Sequence, residues 1–301
     1  MMKILITGGT GLVGTALSKA LESRGHEIAI LTRNLYEKAE YKQYLWDPSN
    51  AEIDKLAFKN LDCIIHLAGT GIAEKRWTKK RKEELLSSRV ATAQFLFQKI
   101  KELNVPLKSF ISSSAIGWYG LETTEEIYSE EARVSNHFLG QLCKRWEQAA
   151  DAFESLGCKV SKVRTGVTLS KDGGALTKMI RPIMWGQGAP LGSGIQYIPW
   201  IHIDDLCEIY LQLVEGTLPS GVYNGVAPDH RTNGSLTQLL ALSLGKSLWM
   251  PNIPSWALYM LLGKMSSMLL NGNRVSSNKL IDNGFEFKYP TTTGPVASII
   301  L

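Results

Sequence analysis

The chain has 301 residues, 44% of them hydrophobic, enough to bury a large core in one large domain or two modest ones. Its formal charge of +5 is mild and scattered, so neither a nucleic-acid nor a membrane partner is expected. Four widely spaced cysteines (Cys63, Cys143, Cys158, Cys207), without a Cys-x-x-Cys pair or clustered histidines, imply buried free thiols in a reducing compartment and no metal site.

A short apolar run from Lys3 to Thr7 stops at a glycine cluster, Gly8-Gly9-Thr10-Gly11-Leu12-Val13-Gly14, and an amphipathic segment follows at once. That is strand, tight turn, helix. Gly8 takes the turn, Gly11 lets backbone approach a ligand, and Gly14 lets the helix lie against the sheet. The helix start offers unpaired N–H groups and a positive dipole end, a seat for the pyrophosphate of a dinucleotide. The motif lies so near the N-terminus that no secretory leader is expected ahead of it.

Residues 27–32 read as a second strand ending in Arg33-Asn34. An acidic residue there would accept from a ribose 2′-hydroxyl. Thr32, Arg33 and Asn34 suit a 2′-phosphate instead, so NADP(H) is favoured over NAD(H). Residues 44–48 form a short edge strand and turn, and residues 61–67 a buried strand in which His66 reads as a core histidine. Ala68-Gly69 at its end lets the cofactor approach. The basic run at residues 75–82 reads as a solvated helix start, and the helix spans residues 78–103. A strand at 109–113 runs into Ser114 and the segment to Gly120. A helix at 137–156 and a strand at 159–164 follow. This alternation predicts an α/β fold, a Rossmann-type doubly wound parallel sheet, over residues 1–165.

Beyond Arg164 the pattern is less regular. A helix is expected from Gly173-Gly174 to Trp185, a glycine-rich loop at 186–194, an extended run at 197–202 and a helix at 203–214. A return strand is expected near 221–225, helices at 236–244, 255–270 and 276–283, and a short strand at 285–287. Residues 166–301 would thus form a smaller α+β C-terminal lobe, with the substrate in the cleft between lobes. The apolar patch at 253–270 is broken by Pro254, Gly263 and Lys264 and is too short to span a bilayer, so a cytoplasmic protein is expected.

Several stretches together resemble the short-chain dehydrogenase/reductase superfamily in its extended, NAD-dependent epimerase/dehydratase-like form, and within it the "epimerase family protein" branch. They are residues 7–14, His66-Leu67-Ala68-Gly69, Arg76-Trp77-Thr78 with Ser88-Arg89-Val90, residues 112–120, Trp146-Glu147, Arg164-Thr165-Gly166-Val167, residues 200–206, residues 224–228 and residues 284–290. The resemblance implies cofactor contacts from the glycine loop (Gly8, Thr10, Gly11, Leu12, Val13, Gly14), from Thr32 and Arg33, from Leu67, Ala68 and Gly69, and from Val167. It adds Glu84 and Arg89, with Arg89 meeting a phosphate or ribose and Glu84 holding that arginine or a ribose hydroxyl.

The superfamily's Ser, Tyr and Lys are carried over only in part. Ser114 stands where the serine would be. The Tyr-x-x-x-Lys pair, which shares one helical face so that the ammonium lowers the phenol's pKa, falls on Leu139 and Cys143. Tyr119 is the nearest remaining phenol, a candidate proton donor or an aromatic packed under a loop. His202 is either an acid or a joint between the lobes. The resemblance implies an NADP(H)-dependent oxidoreductase or epimerase-like protein acting on a small carbonyl, alcohol or nucleotide-sugar substrate. The lost dyad keeps open a non-catalytic NADP(H)-binding sensor or scaffold. The chain is expected to be a monomer or homodimer.

Overall fold

Apolar runs lacking polar interruption become central parallel strands, because both of their faces are covered. In the computed structural model, which describes residues 1–294 and 296, such runs form the centres of β1 (Lys3–Thr7), β2 (Glu27–Thr32) and β5 (Cys63–His66). The strands β6 (Ser109–Ala115) and β8 (Lys159–Thr165) are also central but carry Ser112 to Ser114 and Ser161, Lys162 and Arg164. The helices between them are α1 (Leu12–Ser23), α2 (Lys79–Glu102) and α3 (Phe138–Asp151). With β3 (Lys42–Asp47), β4 (Glu52–Ile53) and β13 (Val222–Gly225) they form an eight-stranded sheet in the order β13-β8-β6-β5-β1-β2-β3-β4. All neighbours are parallel except β3 and β4. The strand order reverses between β1 and β5, the crevice where open α/β sheets bind ligands.

Side chains alternate across each strand. Ile4, Ile6, Cys63 and Ile65 pack with α1 and with α5 (Ile203–Glu215), while Leu5, Ile64 and Phe110 pack on the other face. There Phe110 stacks on Phe153 at 3.7 Å between ring centroids. The sheet layer therefore includes α5 and β13, although both lie in the C-terminal half of the chain.

The remaining elements are β7 (Ile127–Tyr128), β9 (Val167–Ser170), β10 (Gly173–Gly174), α4 (Ala175–Met184), β11 (Tyr197–Ile198), β12 (Trp200–His202), β14 (Arg231–Thr232) and α6 (Asn233–Ser243). They are followed by α7 (Ser255–Leu262), α8 (Ser267–Leu270), β15 (Arg274–Val275) and α9 (Asn278–Asp282). A three-stranded sheet, β10-β9-β12, and the helices α4 and α6 build a lobe core around Trp200, Leu236 and Leu240. Residues 285–287, expected as a strand, form none. Phe285 is instead buried in the core of the main sheet with Phe287 packed beside it.

Side-chain clamps fix the lobe and the C-terminal segment in place. Arg76 donates from Nε to the Leu261 carbonyl at 2.8 Å and from Nη2 to Met260 at 2.7 Å, satisfying carbonyls left open at the end of α7. Asp205 accepts the backbone N–H groups of Lys288 and Tyr289 at 2.8 and 3.0 Å. Asp229 accepts the Thr292 N–H and hydroxyl at 2.9 and 2.8 Å.

Candidate functional site

The switch point is built by steric exclusion. Gly8 has φ of +71°, a left-handed conformation, and a Cβ there would lie 2.9 Å from the Leu67 carbonyl. A Cβ on Gly14 would lie 2.3 Å from the Gly8 oxygen and 2.6 Å from Gly9 Cα. Glycine at these positions lets the β1–α1 turn, the β5 end and the helix axis converge. Gly11 caps α1 without a side-chain hydrogen bond, and the first turn holds no acid. The N–H groups of Leu12, Val13 and Gly14 find no acceptor among the described residues, while Thr10 is exposed beside them. Such a cradle accepts an anion.

His66 holds the neighbouring loop in register. The Ala68 N–H donates to Thr7 Oγ1 at 3.1 Å, and because the Arg89 carbonyl facing Nε2 can only accept, Nδ1 is the ring acceptor and takes the Thr7 hydroxyl proton from 2.9 Å away. His66 Nε2 then carries the proton and faces the Arg89 carbonyl at 3.3 Å. Complete burial pulls the His66 pKa down to about 4, so the ring is neutral at neutral pH. It is a core residue, as its place in an apolar strand suggested.

At the end of β2, Thr32 is buried and its hydroxyl donates to the Asn34 carbonyl at 2.8 Å, which curls the backbone there. Arg33 is exposed and joins no ion pair among the described residues. Its guanidinium is free to meet a ligand at the far end of the crevice. Across the cleft, the Gly173-Gly174 turn of the lobe packs on Leu12, where a Cβ on Gly174 would lie 3.1 Å from the leucine side chain. Val167 begins β9 beside it, its N–H bound to the Pro199 carbonyl at 2.8 Å.

Glu84 and Arg89 do not form the pair the sequence suggested. Glu84 accepts from Arg81 Nη1 at 3.1 Å, one turn earlier on α2. Arg81 is itself buried and donates to the Gly71 carbonyl, so this part of the basic run is not solvated. Arg89 is buried too. It donates to the Thr70 carbonyl at 3.0 Å and the Leu85 carbonyl at 3.1 Å, and lies 5.0 Å from the Trp146 ring. Gly69 sits directly on this guanidinium, which has no carboxylate partner among the described residues. Burial lowers its pKa, and a bound anion would relieve that cost.

Ser114 and Tyr119 lie in one buried network. Ser114 Oγ donates to Glu147 Oε1 at 2.7 Å, and Arg164 grips the same carboxylate from Nε at 2.8 Å and from Nη2 at 3.0 Å. Arg164 Nη1 also donates to the Tyr119 hydroxyl at 3.1 Å, which in turn donates to Asn224 Oδ1 at 2.6 Å. Burial works against the Arg164 charge, but its bonds to Glu147 more than offset this and hold its pKa above the ordinary value. Burial pushes the Tyr119 phenol up to about 12 despite the pull of Arg164. At the two dyad positions, Leu139 packs against Gly117, and Cys143 Sγ faces the Ala115 carbonyl at 3.5 Å. Burial raises that thiol to about 12, so it stays neutral, and unlike a lysine it offers no positive charge to a neighbouring phenol in either protonation state.

Sequence reasoning did not foresee this network. The available signals were a glutamate on the apolar stripe of α3 (Leu139, Cys143, Trp146, Glu147) and an arginine in a buried strand, which call for each other. His202 caps α5 by accepting the Asp204 N–H at 3.2 Å and lies 3.9 Å from the Tyr289 ring, a joint between segments. Among the described residues no cluster of His, Cys, Asp or Glu could hold a metal.

Residues 4–224 match the NAD dependent epimerase/dehydratase family, and residues 253–294 match a domain of unknown function, DUF1731. The chain belongs to the NAD dependent epimerase/dehydratase family. Relatives in this family include the human epimerase family protein SDR39U1, 32% identical, with 99% of this chain and 100% of the relative covered. The Staphylococcus aureus epimerase family protein SAR0825 is 35% identical, with 96% of each covered. A crystal structure of the human protein with NADPH superposes with a TM-score of 0.88 over 99% of each chain. The glycine loop, Ser114, Leu139 and Cys143 all lie within the residues that match the family.

Proposed function

We propose that this protein binds NADP(H) in preference to NAD(H) and is an oxidoreductase or epimerase-like enzyme acting on a small carbonyl, alcohol or nucleotide-sugar substrate. The observation that carries the cofactor assignment is the pairing of the glycine cradle with an unpaired, exposed Arg33 where an NAD-type site would place an acid. The NADPH bound to the human relative supports it. The first turn of α1 would hold the pyrophosphate, Thr32 and Arg33 the 2′-phosphate, and Leu67 to Gly69, Glu84, Arg89 and Val167 the remaining edge. The nicotinamide would supply the hydride acceptor or donor.

On the protein's side, Ser114 Oγ, whose proton is held by Glu147, would accept from a substrate hydroxyl, and it would donate to a substrate carbonyl only after exchanging that bond. Tyr119 stays protonated across the neutral range, so it is a donor and not a base. Its proton is engaged by Asn224, and it reaches a substrate only if that bond is exchanged. A second reading, a non-catalytic NADP(H)-binding sensor or scaffold, is favoured by the same engagement and by Cys143 in place of the lysine.

The deciding experiment is substrate-dependent NADPH oxidation over a panel of carbonyl compounds and sugar nucleotides, with Gly14→Ala as the cofactor-loop control. Turnover that falls at least about tenfold in Ser114→Ala or Tyr119→Phe supports the enzyme reading. Turnover unchanged in both variants removes the residue assignment, and tight cofactor binding without turnover on any substrate selects the sensor.

A further inference from the structure

The chain carries 28 acidic residues, yet residues 173–203 and 230–281 contain none. These two stretches form most of the C-terminal lobe and hold seven Lys and Arg residues. Arg231 and Arg274 pair with Asp229 and Glu125 from outside the stretches, and Lys279 lies over the Tyr223 ring. Lys178, Arg181, Lys246 and Lys264 are exposed and join no ion pair among the described residues.

The same surface is apolar where solvent would favour polarity. The exposed tryptophans all lie here: Trp185 at 74%, Trp249 at 74% and Trp256 at 66%. On α7, Trp256, Tyr259 and Met260 occupy positions i, i+3 and i+4 and so share one face, which is exposed, while Leu258 is buried. The three tryptophan segments are neighbours. The loop after Trp185 runs alongside the segment before α7, with Ile253 donating to the Pro190 carbonyl and Gly192 to the Ile253 carbonyl, each at 2.8 Å. Gly188 in that loop packs against Leu248, next to Trp249.

We propose that this face of the lobe is a peripheral docking surface for an anionic phospholipid bilayer. Tryptophan and tyrosine partition to the headgroup level of a membrane. Unpaired lysines and arginines are drawn to anionic headgroups, and the removal of every carboxylate from the two stretches eliminates the opposing repulsion. No helix among the described residues is long and apolar enough to cross a membrane, so the engagement is with the surface. A second copy of the chain fits less well, because a two-fold interface would set the four unpaired cations against their own equivalents. A nucleic acid would use the cations but leave Met184, Met260 and Leu261 without partners. The low overall charge of +5 conceals this asymmetry, which is why composition alone suggested no membrane partner.

The test is co-sedimentation of the full chain with vesicles of equal parts phosphatidylglycerol and phosphatidylcholine, against vesicles of phosphatidylcholine alone. The protein should pellet with the anionic vesicles only, release on raising salt, and show a blue shift of tryptophan emission. Lys178→Gln with Arg181→Gln should weaken partitioning about thirty-fold, since each headgroup-attracted charge contributes about a five-fold factor. Trp256→Ser should lower it further. None of these residues is among those assigned to the cofactor, so NADPH binding should be unchanged in both variants, which confirms their folding. Failure to pellet with anionic vesicles, equal pelleting with neutral ones, or insensitivity to both sets of substitutions would overturn the proposal. So would a Trp256-dependent dimer in lipid-free solution, or retention on duplex DNA that matches the affinity for vesicles.

Discussion

His66 joins the strand that ends at the crevice to the helix carrying Arg89, and it does so only as a neutral ring. Both of its nitrogens are committed, Nδ1 as acceptor from Thr7 and Nε2 toward the Arg89 carbonyl. Protonation would place a second N–H against the Thr7 hydroxyl and a charge at a fully buried site near the Arg89 guanidinium. The folded pKa is about 4, below the ordinary value of 6.5. The unfolded chain therefore binds the extra proton first. The stability contributed by keeping the ring neutral is fully present above the unfolded value and is lost progressively as pH falls through 6.5 toward about 4. From about pH 7.5 to about pH 5 the loss from this group alone is about 2 kcal/mol. Other histidines and the carboxylates also titrate in this range, so the quantity to measure is the difference between two proteins. Urea unfolding of the wild type and of His66→Gln at several pH values should show a shallower pH slope in the variant by that amount. Equal slopes would mean that His66 is not neutral and buried in the folded chain, and the register of the β5 loop would need another explanation.

Gly14→Ala should destabilise the fold by about 1–3 kcal/mol, because the nearest atoms met by the new Cβ are all backbone; it should also cost more than about tenfold in NADPH affinity, read by thermal melting and by titration. Arg76→Ala should cost about 1 kcal/mol, since its two bonds are charge-assisted but exposed. Hydrogen exchange should report the change as faster exchange confined to α7 and its surroundings, with the central strands unaltered. Arg89→Met should weaken NADPH binding by about ten-fold or more, through loss of the buried cation at the edge of the crevice. Unchanged affinity in Arg89→Met would assign that arginine to loop packing alone.

The strands β1, β2 and β5 were legible because parallel strands covered on both faces are written as near-continuous apolar runs, as in residues 28–31 and 63–65. The glycine cradle was legible for a related reason: Gly8 and Gly14 are demanded by backbone contacts that no other residue permits. Residues 285–287 misled because Phe-Glu-Phe has the two-residue period of a strand, while Phe285 is buried by the helices packed on the sheet without a ladder partner. The pairing of β7 with β15 left no local trace, since each contributes only two residues and they are far apart in sequence. Glu84 was matched to the wrong arginine because Arg81, three residues away on the same helical face, lies closer than Arg89. The network through Ser114, Glu147, Arg164, Tyr119 and Asn224 required the third dimension, because its members come from β6, α3, β8, the turn directly after β6 and β13.

The claim that this is an NADP-type site rests on Arg33 at the open end of the crevice, and calorimetric titration of NADPH and NADH into the wild type and Arg33→Ala tests it most directly. A charge-assisted pairing with the 2′-phosphate predicts NADPH tighter by about ten- to a hundred-fold in the wild type. Most of that advantage should vanish in Arg33→Ala while NADH affinity stays the same. Equal affinities for the two cofactors, or an Arg33→Ala protein that still prefers NADPH, would contradict it.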